Sequence, residues 1–310
     1  MGVSVTDPEV AVSAKNKLLK LNHKRLERFV TLFPKALVND EPDTIHDLRV
    51  WSRRLQQTVR VIVPRPAPTK ARKLIRTLRK VRQAFSACRN LDVNIDLIQQ
   101  RQHNAGAAII RQSWQMVREE LEAQRGGEIL RARQSIARHD IVAFVDRAQA
   151  LIESADVESE SIEKLQETVW ESLKDWDDAF AVAREKRDVD SLHALRIATK
   201  RLRYRTELLA DLGKSALKSP VKALKEFQTL IGDWHDRYIL LEHVAEFISR
   251  PNFLVNHPDI GRSLLAEMEK EKLRNDSITE EILSKAPKVR DCWNRLKPAL
   301  KNKIQNLNAQ

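Results

Sequence analysis

The sequence predicts an all-α fold built from two copies of one helical module, and three observations carry that reading. Apolar residues recur at helical spacing through nearly every segment. Glycine is scarce, 7 residues against 11 prolines in a chain of 310, which leaves few positions for the tight turns of an all-β protein or for a glycine-rich phosphate loop. A helix beginning near His46 returns, in large part residue for residue, near His193. No segment alternates apolar and polar residues as a half-buried strand does.

The elements follow in order from spacing and breakers. Leu18, Leu21, Arg25 and Phe29, with Leu32 and Phe33, place an opening helix that ends at Pro34. A second helix starts with Asp43 or Thr44 as its N-cap and stops against Pro64, Pro66 and Pro68. Lys70 to Ala87 is the third. The region from Asn90 to Glu153 fits two or three more, with Arg125-Gly126-Gly127-Glu128 as the clearest break. The acidic, serine-rich and non-periodic stretch from Glu153 to Lys164 reads as a linker, dividing a module over residues 1–154 from one over 155–310. The second module repeats the plan. A helix from Ile162 to Arg184 precedes one capped by Asp190 or Ser191 and stopped by Gly213. Helices over Ser215–Ile231, Asp236–Ser249 (closed by Pro251), Ser263–Leu283 and Val289–Leu307 complete the set.

Composition narrows the class of function. Lys and Arg number 55 against 43 Asp and Glu, a formal net charge of +12. Cys88 and Cys292 are the only cysteines, too few for a disulfide framework or a thiolate metal cluster, so a reducing compartment is expected. No run approaches the eighteen or so apolar residues of a membrane span, and the N-terminus lacks the order of a secretory signal. The expectation is a soluble, cytoplasmic protein without a membrane partner.

The duplication identifies the functional face. HDLRVWSRRLQQTVRVI from His46 and HALRIATKRLRYRTELL from His193 align at an offset of 147 residues. His46/His193, Leu48/Leu195, Arg49/Arg196, Val50/Ile197, Arg53/Lys200, Arg54/Arg201 and Leu55/Leu202 correspond. The following helix agrees at an offset of 146, with Arg72, Arg76 and Arg79 matching Lys218, Lys222 and Lys225. At ~100° per residue, His46, Arg49, Arg53 and Arg60 share a sector of about 60°, opposite Leu48, Trp51, Leu55, Val59 and Ile62. His193, Arg196 and Lys200 repeat the polar sector, with Arg203 at its edge and Tyr204 just beyond. In the next helix, Arg72, Arg76, Arg79 and Lys80 line one face while Leu74, Leu78, Val81 and Phe85 line the other.

A solvated helix face ordinarily mixes charge signs, because like charges at i,i+4 cost a few tenths of a kcal/mol per pair. This stripe is nearly free of acids and is duplicated, so an anion is expected to fill it. Arginine grips phosphate oxygens with a planar fork of donors, and lysine adds a point charge. Two modules with two basic helices each offer more cations than a monophosphate can use. Inorganic polyphosphate and nucleic acid remain. The scarcity of aromatic side chains on the basic face, where only Tyr204 lies near, favours the ligand made of phosphate alone.

At these residues the sequence resembles the CHAD family, helical domains named for their histidines. The two H-x-x-R-[VI]-x-x-[RK]-R-L helices carry the resemblance, and VRQAFSACRNLDVNIDLI and FQTLIGDWHDRYILLEHV look like the family's R-D-x-D-V regions. Asn90 stands in place of that motif's first acid after Arg89, and Tyr238 stands where Asp92 would be in the second copy. Glu207 occupies the place of Arg60. The resemblance spans almost the whole chain. It implies two pseudo-symmetric four-helix-bundle-like modules packed around a basic central groove or channel. It also implies binding of inorganic polyphosphate, and association with polyphosphate granules. The residues expected to bind are His46, Arg49, Arg53, Arg54, Arg60, Arg72, Arg76, Arg79, Lys80 and Arg89 in the first module. In the second they are His193, Arg196, Lys200, Arg201, Arg203, Tyr204, Lys218, Lys222 and Lys225.

No catalytic residue, cofactor or metal is expected. A zinc site at His46 and His193 would want carboxylate or thiolate ligands, but their neighbours are Arg and Lys, which repel a dication. Asp92 and Asp96, at i,i+4, read as acids near a helix start rather than as a Mg²⁺ site. No H-E-x-x-H, P-loop or Gly-x-Ser-x-Gly motif is present. The alternatives to a non-catalytic polyphosphate binder are a phosphatase or polyphosphate hydrolase using His46 and His193 with a metal, and a nucleic-acid-binding protein using the same patch.

Overall fold

The computed structural model describes residues 8–63, 66–155 and 159–296, and every described element is helical. The helices are α1 (Pro8–Val38), α2 (Pro42–Ile62), α3 (Thr69–Ala84), α4 (Ser86–Asn104), α5 (Ala108–Ile136) and α6 (Ile141–Glu153). After them come α7 (Ser159–Lys186), α8 (Val189–Asp211), a 3₁₀ turn at Ser215–Leu217, α9 (Lys218–Ile248), α10 (Phe253–Asn256) and α11 (Pro258–Asn294). Among the described residues, no helix is long and apolar enough to cross a membrane.

The helices divide into two compact units. The first takes residues up to 158 together with 236–274, and the second takes 159–235 with the residues from 275 onward. The compact units and the sequence repeat therefore partition the chain differently, because α9 and α11 each contribute to both units.

In the first unit α1 packs on α2 and α6, α2 on α3, and α4 on α5. Phe29 of α1 meets Phe144 of α6 with ring centroids 5.2 Å apart. Leu48, Leu55 and Val59 of α2, and Leu74, Leu78 and Val81 of α3, are buried as their spacing predicts. A further cluster joins Leu91, Ile98, Trp114 and Leu121 to Leu240, Val244 and Phe247 of α9. Burying one such side chain stabilises by about 1.5–3 kcal/mol, so these stripes fix which face of each helix is left for other work. In the second unit Trp176 of α7 anchors the core. It packs edge-on against Phe227 at 5.7 Å, and its indole N–H donates to Thr199 Oγ1 at 2.9 Å.

Several expected boundaries give way to packing. Helix α1 runs through Pro34 to Val38, since proline removes one hydrogen bond while Phe33 and Ala36 on either side stay buried. Helix α11 likewise passes Pro287 between buried Ala286 and Val289, so the expected helices over 263–283 and from 289 are one; its expected end at Leu307 lies outside the described residues. Gly126 and Gly127 lie inside α5 instead of breaking it. Two helical glycines cost about 1 kcal/mol each, which buried Leu121, Ile129 and Ala132 along the same helix outweigh. Gly232 is similarly carried within a continuous α9, between buried Ile231 and Trp234, joining the two helices expected there. Conversely, the helix expected over 70–87 breaks at Phe85.

The caps also differ from expectation. Helix α2 begins at Pro42, whose fixed φ suits the first helical position, with Glu41 before it. Helix α8 is capped by Asp188, whose carboxylate accepts from the Ser191 N–H at 2.8 Å. Its C-terminal stop is as predicted, with Gly213 at φ 107°. The expected linker shortens, since α6 ends at Glu153 and α7 starts at Ser159; residues 156–158 lie outside the described residues.

Candidate functional site

The first unit gathers guanidinium groups on α2 and α3. Leu48, Leu55 and Val59 turn one face of α2 into the core, so Arg49 and Arg53 emerge half-buried on the other, with His46 and Arg60 exposed at its ends. On α3 the buried Leu74, Leu78 and Val81 leave Arg72, Arg76, Arg79 and Lys80 exposed. Between these faces sits Arg82, a residue the sequence did not single out. Burial pushes its guanidinium down to about 10, assisted in order by Arg53, Arg49, Arg60 and Arg79. Its Nη2 donates to Gln56 Oε1. Its Nη1 is buried with no hydrogen-bond partner among the described residues. Arg49 Nη1 donates to the Arg82 carbonyl oxygen and to Ser86 Oγ at 3.1 Å, tying α2 to the turn between α3 and α4.

A half-buried guanidinium held beside four others raises the energy of the folded chain. The remaining first-unit candidates have local contacts. Arg54 lies over the Trp51 ring at 5.1 Å, and the Arg25 guanidinium donates to the Arg54 carbonyl at 2.9 Å. Burial lowers the His46 imidazole, with Arg89 the next cause.

In the second unit His193, Arg196 and Lys200 lie half-buried along α8, and Lys218, Lys222 and Lys225 are exposed on α9. Two expectations need correction here. Arg203 and Tyr204 are 9% and 6% exposed, so they belong to the interior and not to the edge of the basic face. Arg203 donates to Gln228 Oε1 at 2.8 Å and lies 4.2 Å from the Tyr204 ring, with Glu207 3.9 Å away. Arg201 is exposed but donates to Asp175 at 2.9 Å.

The repeat offset explains both this correction and Arg82. Gln56 and Arg82 of the first unit correspond to Arg203 and Gln228 of the second. The same arginine–glutamine hydrogen bond is made twice, with donor and acceptor exchanged between helices. His235 was also missed. It corresponds to Arg89, and its ring centroid lies 5.3 Å from that of His193. Burial, then Arg196, His193 and Lys200, hold its imidazole down to about 3.

Asp92 has a structural task. It lies buried well inside α4, which starts at Ser86, so it is not an acid at the helix start. Its carboxylate accepts from Arg125 Nε, and Arg125 also donates to the Asp40 carbonyl at 2.5 Å. Asp96 instead accepts from Gln100 at 3.0 Å. Among the described residues, no three His, Cys, Asp or Glu side chains form a group that could hold a metal ion.

These features define an all-helical protein with a duplicated cationic helix face. The family model for the CHAD domain matches residues 22–245, so the chain belongs to the CHAD family. Its fold is similar to the crystal structure of the CHAD domain from the plant Ricinus communis, with a TM-score of 0.62 and 18% identity over 86% of this chain and 91% of that one. It is also similar to PptA from Streptomyces chartreusis, with a TM-score of 0.59 and 13% identity over 87% of this chain and 99% of the other. At these identities the likeness is one of fold. No curated protein matches the chain.

Proposed function

We propose that this protein binds inorganic polyphosphate without catalysing its turnover, through the cationic faces of α2–α3 and α8–α9, and that this binding places it on polyphosphate granules. The observation that carries the reading is the Arg82 cluster, in which five arginines share one neighbourhood and the central one, held between α2 and α3 by its hydrogen bond to Gln56, is pushed down to about 10 by burial and by its neighbours. A polyanion relieves that repulsion along its whole length, whereas a single phosphate neutralises only part of it. Membership of the CHAD family supports the same ligand.

Fluorescence titration with long-chain polyphosphate tests it. Arg53→Glu with Arg79→Glu, and separately Lys200→Glu with Lys225→Glu, are each expected to weaken binding at least tenfold while the helical circular dichroism is kept. Arg49 is a poorer choice, because its hydrogen bonds also secure the turn after α3. Unchanged affinity in both variants would overturn the proposal. Phosphate release that depends on Mg²⁺ and is lost in His46→Ala would replace it with a hydrolase. Single-stranded RNA outcompeting polyphosphate per charge would replace it with a nucleic-acid binder.

A further inference from the structure

The two cationic faces differ in chemistry at one equivalent place. Where Arg89 bears on His46 in the first unit, the second unit carries His235 beside His193. The two imidazoles are tilted by 52° with centroids 5.3 Å apart, and the Trp234 ring lies 6.4 Å from His235. Charged groups on α8 bear on the pair, and Asp233 and Asp236 flank His235 on α9. Arg196 and Lys200 act on both rings, and Asp190 acts on His193 with the opposite sign. Among the described residues, α7, which packs on α8, contributes no charged group to either ring's shift. A permanent cation in one unit is therefore matched by a conditional one in the other.

We propose that the His193–His235 pair makes polyphosphate capture by the second unit proton-linked, so that this face takes up protons from the buffer as the anion binds and grips more tightly as the pH falls. The inference rests on the polyphosphate reading above and concerns its regulation. In the free protein both imidazoles are held below their ordinary value, burial first and the neighbouring cations next, so both are neutral at neutral pH. A phosphate chain laid beside Arg196 and Lys200 cancels their charge and adds its own, which favours the protonated rings. Between the free and the bound pKa, each proton taken up tightens binding by about tenfold per pH unit of decrease. His46 is the ring that remains in the first unit.

Calorimetry of the full chain with tripolyphosphate and with long-chain polyphosphate, in buffers of differing ionisation enthalpy at pH 6 and pH 8, counts the protons. Wild type is expected to take up protons and to bind more tightly at pH 6. His235→Arg is expected to bind more tightly than wild type at pH 8 and to take up measurably fewer protons at pH 6. His235→Gln loses the same uptake without the added affinity. The His235 Cε1–H resonance, followed by NMR, is expected to begin titrating at higher pH once tripolyphosphate is present. Proton uptake unchanged in both variants, or a His235 resonance that does not shift its titration, overturns the proton linkage and leaves polyphosphate binding intact. No binding at either pH overturns the polyphosphate reading and the linkage together.

Discussion

Arg82→Gln separates a cluster built for a ligand from one built for the fold. In the free protein the Arg82 guanidinium is held down at about 10, well below its ordinary value, burial acting first and Arg53, Arg49, Arg60 and Arg79 after it. A cation whose folded pKa lies below its unfolded value destabilises the fold. At neutral pH both states are charged, so the full penalty of about 3 kcal/mol is present. Glutamine removes the charge and matches what the repeat already tolerates, since Gln228 occupies the equivalent position. The lost hydrogen bond to Gln56 returns about 1–2 kcal/mol of the gain. The net expectation is stabilisation by about 1–2 kcal/mol, or a melting temperature higher by about 4 °C, read by circular dichroism at low salt. Polyphosphate reverses the order. At a hundredfold excess over Kd it adds about 2.7 kcal/mol to wild type and less to the variant, which has lost a central donor. Arg82→Gln melting below wild type without ligand, or gaining equally from polyphosphate, would refute the reasoning.

Two further outcomes test the fold beneath the site. Glu271 is 1% exposed and accepts from Arg101, Arg237 and Arg274, which come from α4, α9 and α11. Burial alone would push its carboxyl up, but the Arg101 hydrogen bond and charge, with Arg237 after it, hold it below the usual carboxylate range. Glu271→Gln leaves three guanidinium groups facing each other and is expected to cost about 3–5 kcal/mol in urea unfolding. In wild type this contribution is present above the unfolded pKa near 4.3 and is lost as the pH falls through the lower folded value. A loss below about 1 kcal/mol would contradict the clamp. Gly126→Ala, inside α5 with nothing within 4 Å of the added methyl, is expected to stabilise by about 0.5–1 kcal/mol. Destabilisation would return the break to that position.

The helical class and the duplicated face were legible in the sequence because both rest on periodicity, and periodicity survives packing. The apolar stripes of α2 and α3 are buried as their spacing predicts. Breaks were less legible. Pro34, Pro287, Gly126 and Gly232 are local signals of one or a few kcal/mol, and buried neighbours on the same helix override them. Arg82 was missed for a different reason. Its counterpart is Gln228, so a comparison seeking like with like passes over the exchanged pair. His235 was hidden in the same way behind Arg89, although the offset of 146 residues that aligned the lysines of α9 places it directly. Arg203 and Tyr204 were placed on the polar edge by angle alone, although Gln56, the buried counterpart of Arg203 in α2, shows that this position faces inward in both copies.

The affinity of the whole chain for long-chain polyphosphate as salt is raised is the most direct test of the cationic faces. Tight binding at low salt is expected, with a logarithm of affinity that falls steeply with the logarithm of salt concentration, and a shallower slope in Arg53→Glu with Arg79→Glu. Binding that ignores salt, or a slope untouched by removing those charges, would contradict the polyphosphate reading.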